Sequence, residues 1–123
     1  MTAWRFALEQ FAVPRDRILD VGCSYGSWAD NYRSLGFKYL LGIDPNPEVV
    51  ARAREVFDEV HVAYASDLRT SDIAQNVPVI GANGVIVHIL EDEQEMIFLD
   101  SVRHSLSDDG IFLFSVLNPC YYP

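Results

Sequence analysis

Three aspartates and one glycine turn are the residues of this sequence whose types and positions could do chemistry. Asp20 lies within a short apolar run over residues 18–21, and a turn over residues 22–26 follows it. Asp44 and Asp67 stand at or near the ends of two later apolar runs. Glycines at such a turn allow a backbone to come close to a bound ligand. A carboxylate beside the turn would repel a pyrophosphate and would favour an ammonium or sulfonium group.

The spacing of the glycines separates two cofactor classes. A dinucleotide-binding turn has the pattern G-x-G-x-x-G, in which the glycines admit a pyrophosphate. Here residues 22–26 read Gly-Cys-Ser-Tyr-Gly, which does not fit that pattern. Each acid also has a simpler explanation, since Asp20 can cap the turn and Asp44 and Asp67 can cap helices. The three explanations would have to coincide at successive strand ends, so we favour a ligand site.

The elements that must position these residues alternate between strands and helices. Apolar runs predict five strands, over residues 18–21, 39–43, 60–64, 84–89 and 111–116. Pro78 argues against a central strand over residues 77–80, so the later run is preferred as strand four. Buried strands that alternate with helices predict a doubly wound, mostly parallel α/β sheet with helices on both faces. We expect a single domain over residues 1–123.

Helix signals lie between the strands. The N-terminal segment 1–12 predicts an amphipathic helix in which Trp4, Leu8 and Phe11 share one face. Residues 27–30 form a possible capping box for the helix that follows the turn, and Gly36 suits its carboxyl end. Asn46, with proline after it, predicts the start of a further helix.

Composition bounds the class of protein and partner. Eighteen acidic and nine basic residues give a net charge of −9, which opposes a nucleic-acid partner. No stretch approaches the ~20 apolar residues of a membrane span, and residues 1–6 lack the layout of a signal peptide. The cysteines, Cys23 and Cys120, have no metal-ligand spacing, so we expect a reduced, cytoplasmic protein without a metal site. Cys23 is expected to be a small packed residue and not a nucleophile.

The turn and its acid resemble the first motif of the class I S-adenosylmethionine-dependent methyltransferases, [DE]-x-G-x-G-x-G. Residues 20–26 read Asp-Val-Gly-Cys-Ser-Tyr-Gly, with Ser24 in place of the middle glycine. The resemblance covers about residues 18–116 and implies a Rossmann-like sheet with strand order 3-2-1-4-5. It implies S-adenosyl-L-methionine as the cofactor. It also implies two further strands after the fifth, which this sequence lacks.

The resemblance assigns roles to the later acids as well. Asp44 falls where that family holds the ribose hydroxyls, and Asp67 and the backbone N–H of Leu68 fall where it contacts adenine. S-adenosylmethionine is net cationic, so acidic side chains suit it, and its carboxylate can lie against N–H groups of the turn. The implied cofactor-binding residues are Asp20, Gly22, Cys23, Ser24, Gly26, Asp44, Pro45, Asp67, Leu68 and His88.

His88 is the one candidate for a catalytic base, at the predicted end of strand four. A histidine that ends a strand is more often structural, so we expect it to line the ligand. An in-line methyl transfer from a sulfonium depends mainly on proximity and alignment, and therefore needs no obvious base. Residues 118–121 resemble the Asn-Pro-Pro-Tyr motif of amino methyltransferases, but they follow predicted strand five instead of strand four. We therefore reject that assignment.

Two functions fit these residues. The first is methyl transfer to a small-molecule acceptor. The second is a non-catalytic S-adenosylmethionine-binding module or a fragment of a larger methyltransferase, because the resembling enzymes bind acceptors through inserts and C-terminal additions that this sequence lacks. Predicted strand five would be an exposed apolar edge. We expect a homodimer or a partner segment to cover it, and no nucleic-acid or membrane partner.

Overall fold

The computed structural model describes residues 2–83 and 91–115, which form a five-stranded parallel sheet with helices on both faces. The strands are β1 (Arg17–Val21), β2 (Tyr39–Asp44), β3 (Glu59–Val62), β4 (Val77–Asn83) and β5 (Leu106–Ser115). The helices are α1 (Thr2–Phe11), α2 (Ala29–Ser34), α3 (Pro47–Ala53) and α4 (Asp92–Ser105), with a 3-10 helix over Ala65–Arg69. The strand order is β3-β2-β1-β4-β5, which confirms the predicted doubly wound fold.

Two apolar clusters cover the two faces of the sheet. Ile18 and Leu19 are neighbours in β1, and both are fully buried, but they belong to different clusters. The first cluster contains residues of α1, α2 and α3, including Tyr32. The second includes Phe98 of α4 and Leu68 of the 3-10 helix. A strand that is buried on both faces needs a continuous apolar run, and this is the pattern of β1.

Strand four is Val77–Asn83, so the prediction that Pro78 excludes this run was wrong. Pairing with β5 shifts register between Val77 and Val79, whose partners are Leu106 and Ile111. Pairing with β1 starts at Val79. Pro78 therefore stands at an irregularity where its missing N–H breaks no ladder bond. The predicted strand over residues 84–89 lies outside the described residues.

The ends of the helices follow the predicted signals in part. Asn46 is the N-cap of α3, and its side chain accepts a hydrogen bond from the backbone N–H of Glu48 at 2.9 Å. Gly36 follows α2 with φ +98°, as predicted for a helix end. The capping box over residues 27–30 was wrong, because Trp28 is the N-cap of α2 and makes no side-chain cap. Phe11 was also placed wrongly on the buried face, since it is 64% exposed at the last position of α1.

Strand β5 is an edge of the sheet formed by the described residues, and its Phe114 is half exposed. After β3, a short 3-10 helix forms over Ala65–Arg69. Within residues 2–83 and 91–115, no helix has both the length and the apolar character that a membrane crossing requires. The same residues contain no cluster of three or more side chains suited to hold a metal ion.

Candidate functional site

The parallel pairing brings the carboxyl ends of β1, β2 and β3 to one edge of the sheet. Val21 pairs with Ile43 at the ends of β1 and β2, and Asp44 pairs with Val62 at the end of β3. Ligands of open α/β sheets bind at this edge, outside the carboxyl ends of the strands. The candidate site is therefore built from the connections that leave these three strands.

A cavity of about 240 Å³ opens at this edge. Gly22 and Pro45, both predicted to bind a ligand, line it together with Ile43 of β2. Most of its wall is apolar, with Phe98 of α4 buried on one side. The polar side chains in the wall are those of Tyr64, Ser66 and Gln94. A cavity with apolar walls and a few polar groups is suited to a flat organic ring.

The carboxylate of Asp44 is fixed at the end of β2 by two backbone groups. The N–H of Ser24 donates to its Oδ2 at 3.1 Å, and the N–H of Asn46 donates to its Oδ1 at 2.9 Å. A carboxylate offers about four acceptor positions, so each oxygen can still accept a hydrogen bond. Asp44 therefore joins the glycine turn to β2 and keeps acceptor capacity for hydroxyl groups of a ligand.

The glycine turn is anchored to the end of β2 and depends on left-handed backbone conformations. The N–H groups of Gly22 and Cys23 donate to the carbonyl of Ile43 at 2.8 and 3.0 Å. Gly26 has φ +83°, and a Cβ at this residue would lie 2.5 Å from Cγ2 of Val56. Ser24, at the middle position of the motif, adopts φ +51°, a region that L residues seldom occupy. The serine thus adopts a positive-φ conformation that a glycine would occupy without strain.

Asp20 is buried beneath the turn, with 3% of its surface exposed. The hydroxyl of Tyr32 lies beside Gly81, the residue of β4 in register with Asp20, and interacts with the Asp20 carboxylate. The pKa of Asp20 is raised to about 7, with burial as the largest cause; the Tyr32 hydroxyl lowers this pKa, and the negative charge of Asp44 raises it. Burial also raises the pKa of the Cys23 thiol to about 12, helped by the charge of Asp20. A thiol with that pKa stays protonated near neutral pH, which supports a packing role for Cys23.

Tyr32 and Asn83 belong to this site although the sequence did not indicate them. Tyr32 of α2 is fully buried, and Nδ2 of Asn83 donates to its hydroxyl oxygen at 3.3 Å. Burial, followed by the charge of Asp20, raises the pKa of Tyr32 far above its ordinary value. Asn83 ends the observed β4 and so holds the strand-four position that was predicted for His88. The signal available in the sequence was Gly81, which makes room for the Tyr32 hydroxyl.

The structure ties Asp67 to its own helix. Its Oδ2 accepts a hydrogen bond from the backbone N–H of Tyr64 at 2.8 Å. Tyr64 is the N-cap of the 3-10 helix, so Asp67 is not the helix cap that the sequence allowed. The side chain of Leu68 is fully buried in the core. The cavity wall beside this helix is formed by Tyr64, Ala65 and Ser66. His88 lies outside the described residues.

Comparison with known proteins gives the site a family context. The sequence model of a family described as a methyltransferase domain matches residues 3–122. Ribosomal protein L11 methyltransferase of Clostridium perfringens is 29% identical over an alignment of 114 positions that covers 89% of this chain and 34% of the relative. Carboxy-S-adenosyl-L-methionine synthase of Actinobacillus succinogenes is 26% identical over an alignment of 123 positions that covers 94% of this chain and 50% of the relative. The chain thus spans a third to a half of the length of these curated relatives.

Solved structures with the same fold include two methyltransferases. The sugar N-methyltransferase KedS8 of Streptoalloteichus sp. has a TM-score of 0.81 at 18% identity, covering 98% of this chain and 49% of that one. An S-adenosylmethionine-dependent methyltransferase of Clostridium acetobutylicum has a TM-score of 0.78 at 18% identity, covering 90% of this chain and 46% of that one. At these identities the likeness establishes the fold, and the family rests on the matched domain.

Proposed function

We propose that this chain binds S-adenosyl-L-methionine and transfers its methyl group to a small-molecule acceptor. The chain belongs to the methyltransferase domain family, and the proposal proceeds from that membership. Membership in this family implies the cofactor. The acceptor and the role of each site residue are our inference from the chain itself. The proposed site is the edge of the sheet where β1, β2 and β3 end.

The carboxylate of Asp44 is the observation that carries the proposal. Two backbone N–H groups fix it beside the turn, and both of its oxygens keep acceptor capacity. Such a carboxylate can accept hydrogen bonds from the two neighbouring hydroxyl groups of a ribose. The cavity next to Pro45 has apolar walls suited to an adenine ring. The residues present therefore fit an adenosyl group.

The charge of the site fits the other end of the cofactor. Asp20 and Asp44 place two carboxyl groups at adjacent strand ends, and the whole chain carries a net charge of −9. Acidic groups favour a ligand that carries sulfonium and ammonium groups. When bound, the cofactor supplies a methyl group that its sulfonium already activates. The chain's part is to hold and orient the reactants, which in the best-aligned cases contributes about 7–11 kcal/mol.

The short connections of the chain favour a small acceptor. At the edge of the sheet that carries the site, only residues 45 and 46 connect β2 to α3, and only residues 63 and 64 connect β3 to the 3-10 helix. Connections of this length leave little surface for holding a folded macromolecule. A second candidate is a protein acceptor, which is favoured by the name of the L11 methyltransferase relatives and by the acidic charge, because that charge would attract a basic protein.

Calorimetric titration tests the cofactor. The chain should bind S-adenosylmethionine and S-adenosylhomocysteine and should not bind NAD. Asp44→Ala should weaken S-adenosylhomocysteine binding about tenfold or more, because hydrogen bonds to a charged group are lost. Asp58→Ala is the matched control, since Oδ2 of Asp58 accepts from the N–H of Leu40 at 2.7 Å at the opposite end of β2. Equal affinity in the Asp44 variant and the unaltered chain would show that the ribose assignment is wrong.

Transfer assays with radiolabelled S-adenosylmethionine then test the reaction. One arm offers small amines, amino sugars and phenols, and another offers purified basic ribosomal proteins. Label on a small molecule alone supports the proposal, and label on a protein supports the second candidate. Cofactor binding without transfer to either arm would indicate a binding module or a fragment of a larger enzyme.

A further inference from the structure

Two glycines flank Asp20 on one face of the sheet and make room there for a packed cluster of polar side chains, the polar chamber, formed by Asp20, Cys23, Tyr32 and Asn83. Asp20 of β1 is in register with Gly42 of β2 and with Gly81 of β4. Residues in register on neighbouring strands project from the same face, so neither neighbour has a side chain beside the carboxylate. A Cβ at Gly42 would lie 2.8 Å from Sγ of Cys23, and one at Gly81 would lie 3.1 Å from the Tyr32 hydroxyl. The two glycines therefore let a thiol and a phenol approach Asp20.

The ring of Tyr32 is held rigidly in this chamber. Ring centroids of Trp4, Trp28, Phe37 and Phe57 lie between 5.6 and 6.3 Å from it. The ring is fully buried, which fixes the position of its hydroxyl next to the sheet. Aromatic contacts of this kind add to the apolar area that each ring buries. The aromatic contacts thus fix the position of the Tyr32 ring, and its hydroxyl can hydrogen-bond to a polar group.

The hydrogen bonds of the chamber run in one direction. Nδ2 of Asn83 donates to the Tyr32 hydroxyl oxygen at 3.3 Å, and this hydroxyl lies beside Gly81, the residue of β4 in register with Asp20. A hydroxyl has one proton to donate, so a donor on its oxygen leaves that proton for the carboxylate. Asn83 therefore orients Tyr32, and Tyr32 supplies a hydrogen bond that favours the ionised form of Asp20.

We propose that Tyr32 and Asn83 are positioning residues that hold the Asp20 carboxylate ionised and oriented toward the ammonium group of the cofactor. The inference rests on the proposed function. Burial opposes ionisation of Asp20, and its pKa of about 7 leaves the group divided between two forms near neutral pH. The titratable groups acting with Asp20 in the described part of the chain are Tyr32 of α2, Asp44 of β2 and Cys23 of the turn. Of these, Tyr32 is the one that favours the ionised form.

The test removes one hydroxyl and keeps the ring. Tyr32→Phe should weaken S-adenosylhomocysteine binding about fivefold at pH 7, because a pKa one unit above about 7 lowers the ionised fraction of Asp20 from one half to about one tenth. Binding of 5′-methylthioadenosine, which lacks the amino-acid end, should stay within about twofold. The midpoint of the pH dependence of S-adenosylhomocysteine affinity should move up by about one unit. At pH 9 the variant should regain most of the affinity, because Asp20 is ionised again.

Tyr39→Phe is the matched control. Its hydroxyl also donates to a carboxylate, that of Glu59, at 2.8 Å, but it lies at the amino end of β2. This variant should bind both compounds as the unaltered chain does. Asn83→Ala should weaken S-adenosylhomocysteine binding in the same sense, and more weakly, while leaving the aromatic packing intact. It keeps the inference testable if the Tyr32 variant does not fold.

A second readout needs no ligand. Infrared titration of the buried carboxyl band, identified by its loss in Asp20→Asn, should show a higher midpoint in Tyr32→Phe than in the unaltered chain. The inference is overturned if S-adenosylhomocysteine binds the Tyr32 variant with unchanged affinity and midpoint, or if both compounds weaken equally. If the unaltered chain binds neither adenosyl compound, the proposed function itself fails.

Discussion

Replacing Asp20 by asparagine should stabilise the chain, and the gain should grow as the pH rises. Asparagine has nearly the same shape, and its carbonyl oxygen can accept the hydrogen bond that the Tyr32 hydroxyl gives to Asp20. The amide carries no charge that must be removed from water. Burial is the largest reason that the pKa of Asp20 rises from 3.8 to about 7. The variant removes this cost and leaves the packing of the chamber in place.

The size of the effect follows from the shift in pKa. A carboxyl whose pKa is higher in the folded chain binds its proton more tightly there, so protonation favours folding. This stabilisation is complete below pH 3.8 and is lost as the pH rises through about 7. A shift of about three units corresponds to about 4 kcal/mol, of which roughly 3 kcal/mol is lost between pH 5 and pH 8. The asparagine variant does not titrate, so its advantage should increase by that amount.

Urea unfolding at several pH values between 5 and 8, followed by tryptophan fluorescence, measures the free energy of unfolding of both chains. Asp30→Asn, which removes an exposed carboxylate in the first turn of α2, controls for the change in net charge. A stability difference between Asp20→Asn and the unaltered chain that stays constant within about 0.5 kcal/mol would refute the reasoning. It would mean that the buried carboxylate is ionised at no cost.

Two further substitutions test the backbone that supports the site. Ser24→Val should lower the free energy of unfolding by about 1–2 kcal/mol, because a β-branched residue is strained at φ +51°. Ser24→Gly should not lower it. Equal urea midpoints for the two variants would contradict this expectation. Gly81→Ala places a Cβ 2.6 Å from Cη2 of Trp4 and 3.1 Å from the Tyr32 hydroxyl. We expect the free energy of unfolding to fall by about 1–3 kcal/mol and S-adenosylhomocysteine binding to weaken. Unchanged affinity in a folded variant would count against the role of the polar chamber.

The fold was predictable because its strongest signals are local. Ile18 and Leu19 are adjacent and apolar, as a strand buried on both faces requires, and β1 has this form. Asn46 marks a helix start through its own side chain, and the structure has that cap. The prediction of strand four was wrong because whether a strand can contain Pro78 depends on how that strand pairs with β5. Its tolerance comes from a register shift between two chain segments that are distant in sequence, which no local pattern records.

The positions of Asp20 and Asp44 beside the glycine turn were predictable, and the buried residues around Asp20 were not. Asp20 and Asp44 stand out because each is a charged residue in or at the end of an apolar run. Asn83 was hidden by the wrong placement of strand four, and Tyr32 reads as one more aromatic residue of an amphipathic helix. The link between them depends on Gly81, whose missing side chain admits the phenol. The sequence does not reveal the importance of this missing side chain, because it depends on β1 and β4 being neighbours in the sheet.

The free energy needed to ionise the buried Asp20 carboxyl is itself an argument that Asp20 binds the cationic part of the cofactor. A natural domain is typically stable by only about 5–15 kcal/mol, so an ionisation cost of about 4 kcal/mol is a large fraction of the total. Asparagine would fill the same space and accept the same hydrogen bond from Tyr32 without that cost. Asp20 destabilises the fold when it is ionised, and the buried side chains of Tyr32 and Asn83 are arranged to favour its charge. A binding site for a cationic ligand needs such a charge. The proposal therefore requires Asp20→Asn to have opposite effects on two measurements, giving higher stability at pH 8 and weaker binding of S-adenosylhomocysteine.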